Sequence, residues 1–557
     1  MFTNAEGGII DGNVNAFAND DVTFENSGEI DGDTFFSAFA TDRTSLNTNN
    51  SETVNDMMNM VITSETSATG ESTTESTGGS VVATNNSGAT IDGLLVANAD
   101  TDSTVTNAGT ITGDVFQNAS GTTSSNNNSS SSTSETKTVM DDMKMTFTSS
   151  TSSTTNTGAS AFENTGGTTS LTNADDATIE GGVDQFAHSD AIVTNAGTIT
   201  GEVEQTASGT TSSSSNTSDT TSAMDDMKMT STSLITNTGA TASESTGGST
   251  TLTNEEGATI EGGVNQFANS EAIISNDGTI DGFISVNAAG SVTATANTSV
   301  NKMSSDGMTN ISTTYDVNSS ESSRTDTGGS VTFTNSASGL TDNGNINLNA
   351  DADITVDNAG SIRGSLSAFT NASETSNMGA NETHTTIDAS DPMNTVTTRQ
   401  FSDSSSSSFT SIGGDITGTY SGTNGTLNFT AANGQISQNA QGDSTIAISG
   451  DVFGNVFSTA GSGNNSEASS MSETNSVMDT NGDGSNDFTS ANSSASTNAD
   501  GGASSVTVTG SVRQGNGGAG GSITSSGTDT SAVVIDCLLY TSPSPRDRTR
   551  SRMPSSA

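Results

Sequence analysis

The sequence predicts an all-β protein, a right-handed parallel β-helix in which roughly 20–22 residues form each coil. Three observations predict this fold class. The phrase TNAGTITGDV at 106–115 returns as TNAGTITGEV at 194–203. Apolar and polar residues alternate within such phrases, as they do in extended strands. Helical spacing fits nowhere, and the abundant Thr, Ser, Asn and Gly are poor helix formers.

A unit of about 81 residues recurs along the chain. Its copies open at asparagines separated by 81, 88, 81 and 81 residues, namely Asn4, Asn85, Asn173, Asn254 and Asn335. In each copy a second asparagine follows 21 to 23 residues later, and in the second copy this distance is counted from Asn86. These second asparagines are Asn26, Asn107, Asn195, Asn276 and Asn358. This shorter period is close to one solenoid coil. We therefore predict four coils per unit and units of about 1–81, 82–170, 171–251, 252–332 and 333–417.

Alternate residues predict how each coil is built. Ile111, Gly113 and Val115 are two residues apart, so they would share one face of a single strand, as would their counterparts in 254–275. A strand, a turn, another strand and another turn would complete a coil. Coils stacked about 4.8 Å apart would place equivalent Ile and Val residues over one another in apolar ladders.

The repeated Asn and Gly residues have separate predicted roles. Asn tolerates a left-handed backbone at a turn, and its side-chain amide can bond to the amide of the next coil in an asparagine ladder. The Gly after each Ile would permit a bend or a close contact between coils.

Ser-rich runs such as 124–134 separate the repeated phrases, and we predict that they are loops leaving the stack on one side. Residues 1–417 then form a repetitive β-solenoid, and 418–536 continue it with looser phrasing. Residues 537–557 differ in composition and hold the chain's one Cys. The first eleven of them resemble a translated sequencing-library adapter, so we expect this tail to be non-native.

Composition limits the possible functions. Only 29% of the 557 residues are hydrophobic and 4% aromatic, which makes disorder the alternative to a fold, but the alternation argues for strands. The formal net charge of −51 disfavours nucleic acid and anionic lipid as partners. No apolar run is long enough to span a bilayer as a helix. A chain whose single Cys lies in the tail cannot have a disulfide framework.

The N-x-G-x-I-x-G-x-V phrase with Ser/Thr-rich inserts resembles the passenger regions of bacterial autotransporters and related large surface adhesins. The resemblance covers most of residues 1–536. It implies a fragment of a non-enzymatic, exported protein at the bacterial cell surface, anchored in the outer membrane. The partners it implies are glycans or proteins of a host or neighbouring cell, or further copies of itself.

The sequence DTNGDGSND at 479–487 is the strongest local signal, and it predicts a Ca²⁺ site. Oxygen ligands stand at positions 1, 3, 5, 7 and 9 of a calcium-type loop, and Gly484 stands at position 6. Position 12 is Ser490 instead of the usual Glu, and an acidic, solvated loop is the alternative interpretation. The candidate ligands are Asp479, Asn481, Asp483, Ser485 and Asp487.

Other motifs have simpler interpretations. The repeated MDDMKM at 140–145 and 224–229 is expected to be a strand with Met toward a core, and a soft-metal site is the alternative. GNGGAG at 515–520 lacks the context of a nucleotide-binding loop. The two histidines, His188 and His384, are expected in loops or on the surface. The acidic pair Asp175 and Asp176 is expected to be a solvated strand edge, because neighbours on a strand face opposite ways.

Two further functions compete with surface adhesion. A polysaccharide lyase or hydrolase built on a β-helix would need carboxylates and basic groups that converge on one face, and Lys and Arg are scarce here. Binding to ice or mineral would need regular ranks of Thr on one flat face. The predicted loops would interrupt such ranks.

Overall fold

Every described element of the chain is a β-strand, and most of them belong to a stack of parallel coils. The computed structural model describes residues 1–56, 61–141, 144–164, 166–225, 230–306, 311–326, 328–388, 397–411, 414–421, 423–424, 434–461, 464–477, 488–498, 503–509, 511–513, 522–527 and 530–535. The predicted all-β parallel solenoid is confirmed.

Each coil has three short strands, which build three faces of the stack. Within the described residues, face 1 has 14 strands: Phe2–Asn4, Val22–Asn26, Val81–Asn85, Asp102–Asn107, Thr168–Asn173, Asp190–Asn195, Ser249–Asn254, Glu271–Asn276, Ser330–Asn335, Ile354–Asn358, Ile416–Tyr420, Ser444–Ile448, Ala503–Val508 and Thr530–Ile535. Face 2 consists of the start of Asp451–Ala460 together with Ile9–Asp11, Glu29–Asp31, Thr90–Asp92, Thr110–Ile111, Thr178–Ile179, Thr198–Ile199, Thr259–Ile260, Thr279–Asp281, Leu340–Asp342, Ser361–Ile362, Thr423–Asn424 and Ser511–Arg513. Face 3 consists of the end of Asp451–Ala460 together with Val14–Ala18, Thr34–Ala38, Leu95–Ala99, Val115–Ala119, Val183–Ala187, Val203–Ala207, Val264–Ala268, Ile284–Ala288, Ile346–Ala350, Leu366–Thr370, Gly434–Asn439 and Ile523–Gly527.

The parallel pairing places equivalent residues of successive coils directly over one another. Ile91 pairs with Ile111, and Ile111 pairs with Ile179. All three are fully buried, and rows of Val, Leu and Phe from faces 1 and 3 pack against them in one hydrophobic core. The predicted apolar ladders are therefore confirmed. A coil cannot close this core alone, so each coil depends on its neighbours.

The predicted single strand through Ile111, Gly113 and Val115 is wrong, because the chain bends at Gly113. Ile111 ends a face 2 strand and Val115 begins a face 3 strand. A Cβ on Gly113 would lie 2.5 Å from the carbonyl oxygen of Gly93 in the coil beside it. Only glycine fits between coils at this corner, which confirms both roles predicted for it.

The asparagine ladder is confirmed along ten successive coils. Each Nδ2 donates to the Oδ1 of the next asparagine at 2.7–2.9 Å, and the ladder runs through Asn4, Asn26, Asn85, Asn107, Asn173, Asn195, Asn254, Asn276, Asn335 and Asn358. In the second unit the ladder residue is Asn85, and the count from Asn86 is wrong. The predicted left-handed backbone is also wrong: within the described residues, Asp176 and Asn343 are the non-glycine residues with positive φ.

The asparagine ladder ends at Asn358, and other side chains occupy its position from Tyr420 onward. Tyr420 pairs with Asn358 in register and is fully buried. A Cβ on Gly418 would lie 2.6 Å from the Tyr420 ring, so glycine makes the space that the tyrosine fills. This exchange is the structural basis of the looser phrasing after residue 417.

The Ser-rich runs are not loops. Within the described residues they form six long hairpins, which pair side by side into a 12-stranded antiparallel sheet that we call the outer sheet. Its strands are Thr41–Asp56, Val61–Ser76, Thr123–Asp141, Lys144–Asn164, Gly209–Asp225, Thr230–Gly247, Ser291–Asp306, Ile311–Asp326, Ser373–Asp388, Thr397–Ser411, Asn464–Val477 and Phe488–Asn498. The prediction of four coils per unit is therefore wrong, because each unit contains two coils and one hairpin.

Matching spacings explain why the hairpins join into one sheet. A hairpin leaves between face 3 and face 1 of every second coil, and two coils rise about 9.6 Å along the stack at about 4.8 Å each. The two strands of a hairpin also occupy about 9.6 Å. Adjacent hairpins therefore meet at pairing distance, as where Val61–Ser76 pairs with Thr123–Asp141.

Polar corner residues attach the hairpins to the stack. They follow face 3 in the coils that carry no hairpin, and they are Asp100, His188, Asn269, Asp351 and Gln441. The Asp100 carboxylate accepts hydrogen bonds from the backbone N–H of Ala40 at 3.0 Å and of Gly78 at 2.9 Å. These two residues flank the first hairpin, so one side chain holds both of its ends.

Candidate binding surfaces

One side of the outer sheet, which we call the groove side, carries two rows that cross the strands and contain no charged residue as far as Ser373–Asp388. In the next strand, Asp403 pairs with Asn381 of the second row. The register aligns the first, which we call the Asn/Gly row: Asn47, Gly70, Asn128, Gly158, Asn216, Gly239, Asn297, Ser320, Gly379 and Ser405. Two residues away on the same side lies a row of amides, hydroxyls and Ala68: Asn49, Ala68, Ser130, Asn156, Ser218, Asn237, Ser299, Asn318 and Asn381.

Two shallow grooves of about 520 and 570 Å³ follow these rows. Both are lined in part by Asn216, so they adjoin each other. A third groove of about 500 Å³ is lined mainly by Ser and Thr, with Phe162. No charged residue lines any of the three, although the chain carries 64 acidic residues.

The glycines of the Asn/Gly row leave room for the asparagine amides beside them. A Cβ on Gly70 would lie 2.9 Å from Oδ1 of Asn47, and one on Gly158 would lie 2.9 Å from Oδ1 of Asn128. At Gly239 the nearest atom to such a Cβ is Oδ1 of Asn216, at 3.9 Å. The groove floor is therefore open at Gly239.

Face 1 carries a second ordered surface, formed by ranks of Thr on its outer side. Thr84, Thr106, Thr172, Thr194 and Thr253 are in register on five successive coils, and all five are partly or fully exposed. A second rank two residues away is less regular. It includes Thr104, Thr251, Thr332, Thr355 and Thr417, with Ser170, Ile192 and Ile273 between the first three. The expectation that loops interrupt such ranks is wrong, because the hairpins leave at the corner before face 1.

Two carboxyl groups on face 3 have perturbed acidity. Asp184 pairs in register with Glu204. Partial burial and then the charge of Asp114 raise the pKa of Asp184. Partial burial, Asp184 and Glu202 raise the pKa of Glu204. Neighbouring coils place Asp184 beside Glu204, and the charge of Asp184 makes Glu204 hold its proton more tightly.

The remaining sequence predictions have mixed outcomes. The candidate calcium ligands Asp479, Asn481, Asp483, Ser485 and Asp487 lie outside the described residues, as do GNGGAG and residues 537–557. Asp175 and Asp176 are exposed as expected, but they occupy a turn and not a strand. Met140 and Met145, at the two ends of the first MDDMKM, pair with each other between adjacent outer-sheet strands. Met224, which begins the second, is half exposed, so the core-facing interpretation is wrong for Met224.

His188 lies in a bend between two strands, as expected, but His384 does not lie in a loop. His384 lies within an outer-sheet strand, opposite Tyr315. His188 is buried, its Nδ1 lies 3.2 Å from the Gly121 carbonyl oxygen, and it packs edge-on against Phe186. Burial lowers the pKa of His188, so the imidazole is neutral at pH 7.

A buried glutamine ladder was not foreseen from the sequence. Gln185 donates to Gln117 at 2.8 Å, Gln205 donates to Gln185 at 3.0 Å, and Gln266 donates to Gln205 at 2.8 Å. The signal was present, since Gln recurs two residues after the face 3 Val in each of these coils. The ladder stiffens the stack and leaves its amides unavailable to a ligand.

In the described part of the chain, no cluster of three or more His, Cys, Asp or Glu side chains could hold a metal ion. Among the same residues, no helix of the length and apolarity needed to cross a membrane was found. Comparisons with protein-family models, curated proteins and solved structures found no match to the chain.

Proposed function

We propose that this chain is part of a non-enzymatic, exported repeat protein that acts at the bacterial cell surface as a stiff adhesive stalk. The observation that carries the proposal is the outer sheet, which extends one lateral surface along successive repeats. A stalk whose side surface repeats every two coils can bind a partner at many equivalent points. Repetition of weak contacts strengthens attachment without a single deep pocket.

The composition of the surface supports a location outside the cell, in contact with water. The net charge of −51 keeps such stalks soluble and apart from anionic lipid. Stacked amide ladders and a continuous apolar core resist bending, because each coil is hydrogen-bonded to both neighbours. These properties suit a spacer that holds a binding surface away from a cell.

Adhesion can be measured with beads coated with the purified chain. We expect coated beads to attach to bacterial or host cells or to clump together, while beads coated with the heat-unfolded chain do neither. Absence of both attachment and clumping would overturn the proposal. Release of new sugar ends from neutral or acidic polysaccharides would instead favour the enzyme alternative, and the Asp184–Glu204 pair would be the first site to mutate.

The Thr ranks on face 1 favour a second function, binding to ice or a mineral surface. The first rank repeats a hydroxyl and a methyl group about every 4.8 Å between coils, and the Thr residues of the second rank lie about 6.7 Å away along the strands. Such an array can match a crystalline surface, whereas a soluble partner does not require this regularity.

Ice growth in the presence of the purified chain tests this second function. We expect the chain to slow ice recrystallisation, and Thr172→Lys with Thr194→Lys to abolish the effect. The matched control is Thr217→Lys on the outer sheet, which should leave it unchanged. Equal ice growth with and without the chain would exclude ice as the target.

A further inference from the structure

The grooves of the outer sheet differ chemically from the rest of this acidic molecule. Their linings are Asn, Ser, Thr, Gly and Ala, with one aromatic side chain, Phe162, in the third groove. An amide offers two donors and an acceptor, and a hydroxyl offers both kinds of group. The ligand that matches such a lining must itself present both donors and acceptors without charge.

Several ligand classes fail this requirement. A divalent cation needs carboxylate oxygens, and none line the grooves. An anionic polymer would be repelled by the net charge of −51. An amphipathic helix needs large apolar side chains in a groove to receive its apolar face, and neither of these two linings contains one.

The direction of the grooves indicates a linear ligand. They follow the Asn/Gly row, which crosses ten strands and therefore extends about 43 Å at about 4.8 Å per strand. Each hairpin offers its own amides and hydroxyls, so an extended polymer of similar polar units would meet equivalent groups repeatedly. Contacts of this kind are individually weak and gain strength through number.

We propose that the groove side of the outer sheet binds an uncharged, linear polysaccharide along the Asn/Gly row. Asn216, which lines both adjoining grooves, is the central contact. This inference rests on the proposed adhesive function and names its ligand class. The sugar hydroxyls exchange hydrogen bonds with Asn amides and Ser hydroxyls, and the glycines admit the polymer close to the sheet.

The test uses affinity electrophoresis of the full chain through gels that contain linear mannan or a soluble β-1,4-glucan, with alginate and heparin as anionic probes. We expect a neutral probe to retard the chain and the anionic probes to leave its mobility unchanged. The floor-filling variant Gly239→Leu should weaken retardation about tenfold, because it fills the floor of one groove beside Asn216, which lines both grooves. The matched control Ala240→Leu lies on the opposite side of the same strand and should match the unmodified chain.

A second pair of variants introduces charge in place of bulk. Asn216→Asp should weaken retardation, and Ser215→Asp, one residue away on the opposite side, should not. Circular dichroism and thermal unfolding verify that all four variants are folded. Equal retardation of Gly239→Leu and Ala240→Leu, retardation by anionic probes alone, or no retardation by either neutral probe would each overturn the inference.

The bead assay separates this inference from the proposed function. If coated beads attach to cells and neither neutral polysaccharide competes, the ligand assignment fails while the adhesive function stands. If the chain is retarded by a neutral polysaccharide but beads neither attach nor clump, the adhesive function fails and the groove assignment stands.

Discussion

At the residue scale, the asparagine ladder shows how one polar side chain can specify a coil. Asn195 is fully buried, donates to Asn254 at 2.9 Å and accepts from Asn173 at 2.9 Å. Its amide also donates to the Thr259 carbonyl oxygen at 3.1 Å. An apolar residue at this position would leave groups in both neighbouring coils without partners, so the ladder fixes the register in which neighbouring coils stack.

Replacing Asn195 should therefore be costly. We expect Asn195→Ala to lower the free energy of unfolding by about 3 kcal/mol, because buried polar groups in two neighbours lose partners. Urea unfolding followed by circular dichroism measures the loss. Thr194→Ala, which changes the adjacent outward side chain, is the matched control and should cost little. Equal effects of the two substitutions would contradict the role of the ladder.

Asp351 is a corner residue whose burial makes stability depend on pH. Burial and the charge of Asp326 raise its pKa to about 6, although the Gly290 N–H and Arg324 act in the opposite direction. The folded state therefore holds this proton more tightly than the unfolded chain, whose pKa is about 3.9. Below about pH 4 both states are protonated and the contribution to stability is fully present. It is lost as the pH rises through about 6.

Asp351→Asn should remove this dependence. At pH 7.5 we expect the variant to be more stable than the unmodified chain by about 1 kcal/mol, a value reduced for solvent screening of a half-buried group. The difference should vanish near pH 4. Thermal unfolding across pH 4–8 measures it, with the exposed turn variant Asp175→Asn as the control. A variant less stable than the unmodified chain at pH 7.5 would show that the carboxylate's hydrogen bond outweighs its burial.

At the element scale, the hairpins and the coils are stabilised differently. The coils bury apolar rows on their inner side. Apart from Gly209 at the start of one strand, the outer-sheet residues whose burial is described are partly or fully exposed on both sides of the sheet. Strands that are polar on both sides gain little free energy from burial. Their stability therefore depends on backbone hydrogen bonds and on attachment at the corner residues. The hairpins should therefore open more readily than the coils.

Asp100→Ala tests the attachment of a single hairpin. The substitution leaves the N–H groups of Ala40 and Gly78 without their side-chain acceptor. Hydrogen exchange followed by mass spectrometry should show faster exchange in Thr41–Asp56 and Val61–Ser76, with little change in the hairpin Gly209–Asp225 and Thr230–Gly247. Asp102→Ala, two residues away, is the control. Uniform loss of protection along the whole stack would contradict a local attachment.

At the scale of the whole molecule, the stack and the outer sheet extend along the same axis. Fourteen face 1 strands at about 4.8 Å give a stack about 60 Å long. A disordered chain of this length would have a radius of gyration of about 90 Å. We expect small-angle X-ray scattering to give less than half of that value and a profile typical of a folded particle. A scattering profile typical of an expanded coil would contradict the fold and the functions built upon it.

The surfaces proposed to bind ligands form only when many repeats are stacked together. The Asn/Gly row draws its residues from successive hairpins, and each Thr rank draws one residue from each coil. Adhesion through either surface should therefore increase with the number of repeats, which the bead assay can measure with chains of different repeat number.

The sequence by itself determined the coils. The recurrence of Asn-led phrases, the apolar ladders, the asparagine ladder and the corner glycines were all predicted, because a parallel stack aligns identical residues and each local pattern then repeats. The bend at Gly113 was not predicted, since alternation continues across a corner between two strands.

Only the tertiary structure decided the outer sheet and its grooves. The Ser-rich runs have no apolar side, so nothing local distinguishes a polar strand from a loop. They become strands because two coils and two hairpin strands occupy the same distance along the stack, which brings each hairpin against the next. That match in spacing depends on where the hairpins leave the coils, so it cannot be predicted from any short stretch of the sequence.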